Sequence, residues 1–108
     1  MSGLWRARFL HGELKNMKIK VRFLAYFRDL FGEREKEVRL PEGAHLRQLL
    51  EVLCDSPERR AQVFVEEKKL NPHAVIMKNG RPVQSSGGLD ALLADGDVIA
   101  VFPYLGGG

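Results

Sequence analysis

The chain has a single cysteine among its 108 residues. Cys54 has no partner for an internal disulfide, which fits a reducing, cytoplasmic compartment. Long apolar runs are missing as well. None approaches the ~20 residues a membrane helix needs. Met1–Asn16 lacks the unbroken apolar core and small-residue cleavage site of a secretory signal. An excess of one charge is also absent from most of the chain. The formal net charge is +3, but Arg6, Arg8 and Lys15 against Glu13 hold most of it. From Met17 onward the signs alternate and nearly cancel, which argues against a phosphate-tracking surface and against nucleic acid as a partner. His11, His45 and His73 are too scattered for a metal set. Gly87-Gly88 lacks the lysine and helix that would make it a phosphate cradle.

What is present reads as one domain of ordinary apolar content, 44%,. Met1–Asn16 stands apart. Leu4, Trp5, Phe9, Leu10 and Leu14 follow neither a helix nor a strand period. This stretch reads as an unordered extension, with a partner-docking peptide built on Trp5 and Phe9 as the alternative. Met17 is a candidate second start site. Lys18–Phe23 alternates strictly, so it predicts a half-buried strand continuing through Ala25. Tyr26–Phe31 reads as a turn closed by Gly32, and Glu35–Leu40 as a second strand ended by Pro41-Glu42-Gly43. Leu46, Leu49, Leu50 and Leu53 form the stripe of the main helix. Asp55-Ser56-Pro57-Glu58 predicts a second helix start, with Asp55 as the cap, running to about Phe64. Glu66–Lys69 is expected to be loop or frayed helix.

Ala74–Lys78 predicts a third strand. Asn79-Gly80 is the strongest hairpin signal, because a type I′ turn needs positive φ at both central residues. Arg81-Pro82-Val83 is a return arm that Pro82 confines to an edge. Ser85–Gly88 reads as loop, and Leu89, Leu92 and Leu93 as a short helical turn. Asp95-Gly96-Asp97 reads as turn chemistry rather than a catalytic carboxylate pair, and it launches the last strand, Val98–Phe102. The first and last strands are the most apolar, so they belong in the sheet centre. As neighbours they must run parallel, joined by a helix-containing crossover. The predicted fold is α+β, a β-grasp: a mixed sheet packed on one main helix.

Behind that strand come Pro103, Tyr104, Leu105, Gly106, Gly107 and Gly108. A glycine tail has no structural use after a strand, since glycine loses the most entropy on ordering. It does suit a chain end threaded into a narrow site, so the terminal carboxylate reads as the reactive group. Tyr104–Gly108 extended at ~3.3 Å per residue reaches about 16 Å. Phe102 and Pro103 would anchor the base of that tail.

The stretch from Met17 to Gly108 resembles the ubiquitin-like MoaD and ThiS sulfur carriers. The resemblance lies in the Gly96-Asp97 turn, the Val98–Pro103 strand ending Phe-Pro and the terminal glycines. Arg28-Asp29-Leu30-Phe31-Gly32 is similar to the family's Arg-Glu-x-x-Gly corner. Asn79-Gly80 with Gly88-Leu89 resembles the longer MoaD-like and small-modifier branch. Tyr104 stands where MoaD usually has a second proline, a third glycine is unusual, and Met1–Asn16 has no counterpart.

The resemblance implies a co-substrate rather than an enzyme, with no cofactor of its own. An E1-like adenylating enzyme of the MoeB or ThiF type would use ATP to adenylate Gly108. A sulfur donor would displace AMP and leave a thiocarboxylate. A sulfur-accepting enzyme, such as the large subunit of molybdopterin synthase, would consume it. Gly107 would belong with Gly108 to the reactive end, and Gly106, Leu105, Tyr104, Pro103, Phe102 and Phe31 would meet the partner. Phe31, Tyr104 and Leu105 read either as an exposed docking patch or as ordinary edge packing. The sheet face away from the helix is the natural docking surface. Cys54 reads as core, with a persulfide acceptor as the alternative. Three functions fit: sulfur carrier for molybdopterin or thiamine synthesis, protein modifier joined to lysines through Gly108, or a binding module with inert glycines.

Overall fold

A computed structural model describes residues 16–66 and 69–104. The expected extension, apart from Asn16, and Leu105–Gly108 lie outside the described residues. Alternation produces the first strand, β1 (Asn16–Phe23). Met17, Ile19, Val21 and Phe23 point inward, and Lys18, Lys20 and Arg22 point out. The strand stops at Phe23 rather than running to Ala25, because Ala25 turns to φ 53. Tyr26–Phe31 is then a helix, α1, and not the turn its sequence predicts. Phe27 and Phe31 lie one helical turn apart, and both are buried,. Gly32 closes the helix in the left-handed region at φ 77, its N–H donating to the Arg28 carbonyl at 2.8 Å,.

β2 (Glu35–Pro41) pairs antiparallel with β1. The leucine stripe forms α2 (Leu46–Leu53), with Leu46, Leu49, Leu50 and Leu53 all buried. His45 is its N-cap, and Gln48 Oε1 accepts the His45 N–H at 2.6 Å. α3 (Pro57–Val63) follows. Its cap is Ser56, not Asp55: Ser56 Oγ accepts from the Arg59 N–H at 3.2 Å, while Asp55 instead holds the Arg59 guanidinium at 2.8 Å. Pro57 sits in the first turn as expected,.

β3 (Ala74–Lys78) turns through Asn79 and Gly80, at φ 51 and 82, into β4 (Arg81–Pro82). These are the two positive φ values that a type I′ turn requires. Val83 leaves the arm to begin a 3₁₀ turn, Val83–Ser86, and a second spans Gly88–Asp90. Both replace the loop and the leucine turn expected there. Leu89 and Leu93 are buried, but Leu92 is 60% exposed. β5 (Val98–Pro103) completes a sheet of order β2-β1-β5-β3-β4. β5 is parallel to β1 and antiparallel to β3. This is the β-grasp of the ubiquitin-like proteins.

The inner face of the sheet and the stripe of α2 form one core. Ile19, Val21, Leu46, Leu49, Leu50, Ile76, Ile99 and Val101 are almost wholly buried, each contributing roughly 1.5–3 kcal/mol by leaving water. Arg59 ties α3 to the end of α1. Its Nε donates to the Leu30 carbonyl at 3.1 Å, and its guanidinium lies 5.1 Å over the Phe31 ring. Glu51 and Arg60 join α2 to α3 at 2.7 Å, and this hydrogen bond to Arg60 holds the Glu51 carboxyl below its usual range.

The start of β5 is pinned by polar groups. Asp97 is buried; its Oδ1 accepts from Asn79 Nδ2 and its Oδ2 from the Ala94 N–H, both at 2.8 Å. Asn79 in turn accepts the Val98 N–H at 2.9 Å. Asp95 Oδ1 accepts the Lys18 N–H at 2.7 Å. The Asp-Gly-Asp segment is thus turn chemistry that locks three strand ends. Replacing Asp97 by alanine strands two donors, so Asp97→Ala is expected to cost about 1–3 kcal/mol. Urea unfolding at neutral pH measures it, and a loss no greater than that of an exposed control such as Glu42→Ala would contradict the assignment.

Candidate carrier and docking site

A strand between two others is buried on its inner face and has neighbours on both edges, so only its outer face stays open. On β5 that face presents Val98, Ala100 and Phe102. The register sets Met77 beside Ala100 and Val75 beside Phe102. All five are only half-buried. The parallel register carries Leu24, 44% exposed, to the level of Phe102. The outer face of β1 and β2 is different in kind. Lys18, Lys20, Arg22 and Arg39 outnumber Glu35 and Glu37 there, in loose exposed pairs such as Lys20–Glu35 at 3.9 Å. The outer face is therefore an apolar strip along β5 and β3 with a net basic border.

The tail leaves from the end of this strip. Phe102 and Pro103 are half-buried in β5, paired to Val75 and Ala74. Tyr104 gives its N–H to the His73 carbonyl at 2.8 Å, while its side chain is 63% exposed. Leu105, Gly106, Gly107 and Gly108 lie outside the described residues. Phe31 does not join Tyr104 in an exposed patch. It is buried, stacked on Phe23 with ring centroids 4.5 Å apart and covered by Arg59. The helical spacing from Phe27 turned it into the core, so the docking role expected of it is corrected to packing. Leu24, Val75, Met77 and Ala100 escaped the sequence reading as named residues. Their signal was there: Ala74–Lys78 and Val98–Phe102 are apolar at outward as well as inward positions.

Other chemistry on the chain is spoken for. Cys54 is buried beside the leucine stripe, and this desolvation pushes its thiol up to about 11. A thiol in that state is a poor sulfur acceptor. Among the described residues no three His, Cys, Asp or Glu side chains come together as metal ligands. No helix there is long and apolar enough to cross a membrane.

The strand order and the parallel β1–β5 pair place the chain in the class of small ubiquitin-like β-grasp proteins. The chain belongs to the ThiS family, whose profile matches residues 21–108. It is 33% identical to small archaeal modifier protein 3 of Haloferax volcanii over 92 residues, 85% of this chain and 100% of that one. Among solved structures, one from Pyrococcus furiosus assigned as molybdopterin converting factor subunit 1 is 36% identical. It has a TM-score of 0.64 over 82% of this chain and 99% of that one. A chain of the Amycolatopsis orientalis BexX/CysO complex is 27% identical, TM-score 0.68, covering 83% and 99% of the two chains.

The burial of Cys54 has a measurable sign. The folded thiol keeps its proton to about pH 11, against an ordinary value of 9.0. Between these values the unfolded chain loses a proton that the folded chain retains, so the fold weakens as pH rises through that window. Urea midpoints of the wild type are expected to drop more steeply there than those of Cys54→Ala. A thiol-specific disulfide reagent should react promptly only in urea; prompt reaction in the native state would overturn the core assignment.

Proposed function

We propose that this chain is a sulfur carrier whose Gly108 carboxylate is adenylated by an E1-like enzyme and converted to a thiocarboxylate. The observation that carries the reading is the position of the tail root at the end of the apolar strip. A partner that covers Val75, Met77, Ala100 and Phe102 sits beside the point at which the described chain ends, four residues before Gly108. The net basic border asks for a partner with an acidic rim around an apolar centre. Phe102 and Pro103 hold the tail's base in the sheet, and Tyr104, still bonded to His73, marks where sheet pairing ends.

The chemistry is carboxylate activation. A Gly108 oxygen attacks the α-phosphorus of ATP and pyrophosphate leaves. A sulfur nucleophile then adds to the acyl carbon and AMP leaves, so one oxygen is exchanged for sulfur. Glycine at positions 106 to 108 keeps the required tunnel narrow. ATP belongs to the activating partner, and this chain needs no cofactor of its own. The 36% identity to the Pyrococcus furiosus protein assigned as molybdopterin converting factor subunit 1 supports molybdopterin synthesis as the destination, with the sulfur passed to a synthase large subunit.

A second reading has its own support in the 33% identity to a small archaeal modifier protein. There the same acyl-adenylate is attacked by a lysine amine of another protein. The two readings share every step up to AMP release and part at the acceptor.

Incubation with the activating enzyme, ATP and a sulfur source is expected to raise the intact mass by the difference between sulfur and oxygen. Deleting Gly108 should abolish that shift while leaving thermal unfolding unchanged. No shift with an enzyme proven active on another carrier would sink the reading. Branched glycine adducts on lysines of other proteins, found after digestion, would select the modifier instead.

Met77→Glu sits on the open face, outside the core. It is expected to raise the KM for this chain in pyrophosphate release at least tenfold, about 1.4 kcal/mol, with little change in melting temperature. An unaltered KM would remove the strip from the docking surface.

A further inference from the structure

A cleft of about 770 Å³ opens between α1 and α3. Its wall includes Tyr26, Asp29, Leu30, Glu58, Arg59 and Ala61. Phe31 beside it stacks on the inward Phe23, so the cleft lies on the covered side of the sheet, away from the apolar strip. Its base is apolar: Leu30 packs on the core, and the Tyr26 ring is 47% exposed. Arg59 is fully committed, to the Leu30 and Phe31 carbonyls and to Asp55. Asp29 and Glu58 are exposed, and neither has an ion-pair partner among the described residues. The cleft thus combines the apolar surface of Tyr26, Leu30 and Ala61 with polar walls and two carboxylates, Asp29 and Glu58, that have no ion-pair partner among the described residues.

Its complement is in the same chain. Leu4-Trp5-Arg6-Ala7-Arg8-Phe9-Leu10 interleaves two cations with large apolar side chains. It lies outside the described residues and joins the fold at Asn16. We propose that this segment docks in the α1–α3 cleft, with Trp5 on the Tyr26–Leu30 floor and Arg6 and Arg8 against Asp29 and Glu58.

Reach permits it. The eight residues of β1 span about 26 Å,. Trp5 stands eleven residues before Asn16, which allows roughly 36 Å of extended chain, enough to return past the far end of β1. Charge selects the cleft over the other apolar surface on the molecule. The strip on β5 and β3 has a net basic border, where Lys18, Lys20, Arg22 and Arg39 repel a segment carrying Arg6 and Arg8. Exposed ion pairs are individually weak, so the aromatic anchor supplies most of the affinity and the charges choose the site. Docked there, the segment leaves the strip and the tail open to the enzyme. The proposal is independent of the reaction assigned to Gly108.

Trp5 is the only tryptophan in the chain, so its emission reports this segment alone in the full-length protein. Native emission is expected to be blue-shifted and several-fold less quenched by acrylamide than in the urea-unfolded chain. The Asp29→Lys, Glu58→Lys double variant should lose both effects with far-UV circular dichroism unchanged. Adding Arg6→Glu and Arg8→Glu to that variant should restore them. If the lysine pair unfolds the domain, Arg6→Glu with Arg8→Glu in the otherwise unaltered chain, which sets like charges against Asp29 and Glu58, serves the same purpose. Native emission matching that of the unfolded chain would overturn the proposal. So would a blue shift that survives the charge reversal, which places the segment elsewhere, and so would failure of the double swap to restore it.

Discussion

The placement of β5 between β1 and β3 is the constraint from which the rest of the molecule follows. Both ladders must hold at once, parallel on one side and antiparallel on the other. A shift of one residue would turn Ile99 and Val101 out of the core and Ala100 and Phe102 into it. Polar chemistry at the strand's start removes that freedom. Asp97 is bonded to Asn79 and Ala94, Asn79 returns a bond to Val98, and Asp95 takes the N–H of Lys18. The hairpin turn, the Asp-Gly-Asp turn and the beginning of β1 are thereby one hydrogen-bonded knot. Because β5 is rigid from that knot onward, the point where the chain leaves the sheet is set by events six residues earlier.

The two faces of β5 have different jobs. Ile99 and Val101 close the core over α2. Val98, Ala100 and Phe102 extend the strip that Val75 and Met77 begin. Exposed apolar faces of this kind commonly mark the places where other proteins dock. The helical side is organised separately. Arg59 fastens α3 to α1, and the Glu51–Arg60 pair fastens it to α2. Cys54 lies in that buried region, where desolvation raises its thiol above the ordinary range.

Most of the sheet was legible because alternation and turn chemistry are local signals. Lys18–Phe23 shows its two faces directly, and Asn79-Gly80 dictates its own turn. The central parallel pair followed from apolar content alone. Legibility failed where short segments give too few turns for a period to emerge. Tyr26–Phe31 is six residues long and holds only two i,i+4 pairs, Tyr26 with Leu30 and Phe27 with Phe31, too few for a period to emerge, so a helix looked like a turn and Phe31 looked available. Two capping residues stand side by side at Asp55-Ser56. Arg59, whose guanidinium occupies Asp55, decided between them only in three dimensions. The cluster of Leu24, Val75, Met77, Ala100 and Phe102 needs the register of three strands and is invisible to any one of them.

Both margins of the sheet are unattractive to a further strand. β4 has two residues, one of them Pro82. β2 carries Glu35, Lys36, Glu37 and Arg39 in the open. Lateral growth by copying the hydrogen-bond ladder is therefore blocked at either side. A further strand is met by charge at one edge and by proline at the other. Among the described residues a greasy surface and a self-limiting outline thus coexist, and the outline opposes edge-to-edge polymerisation of crowded copies.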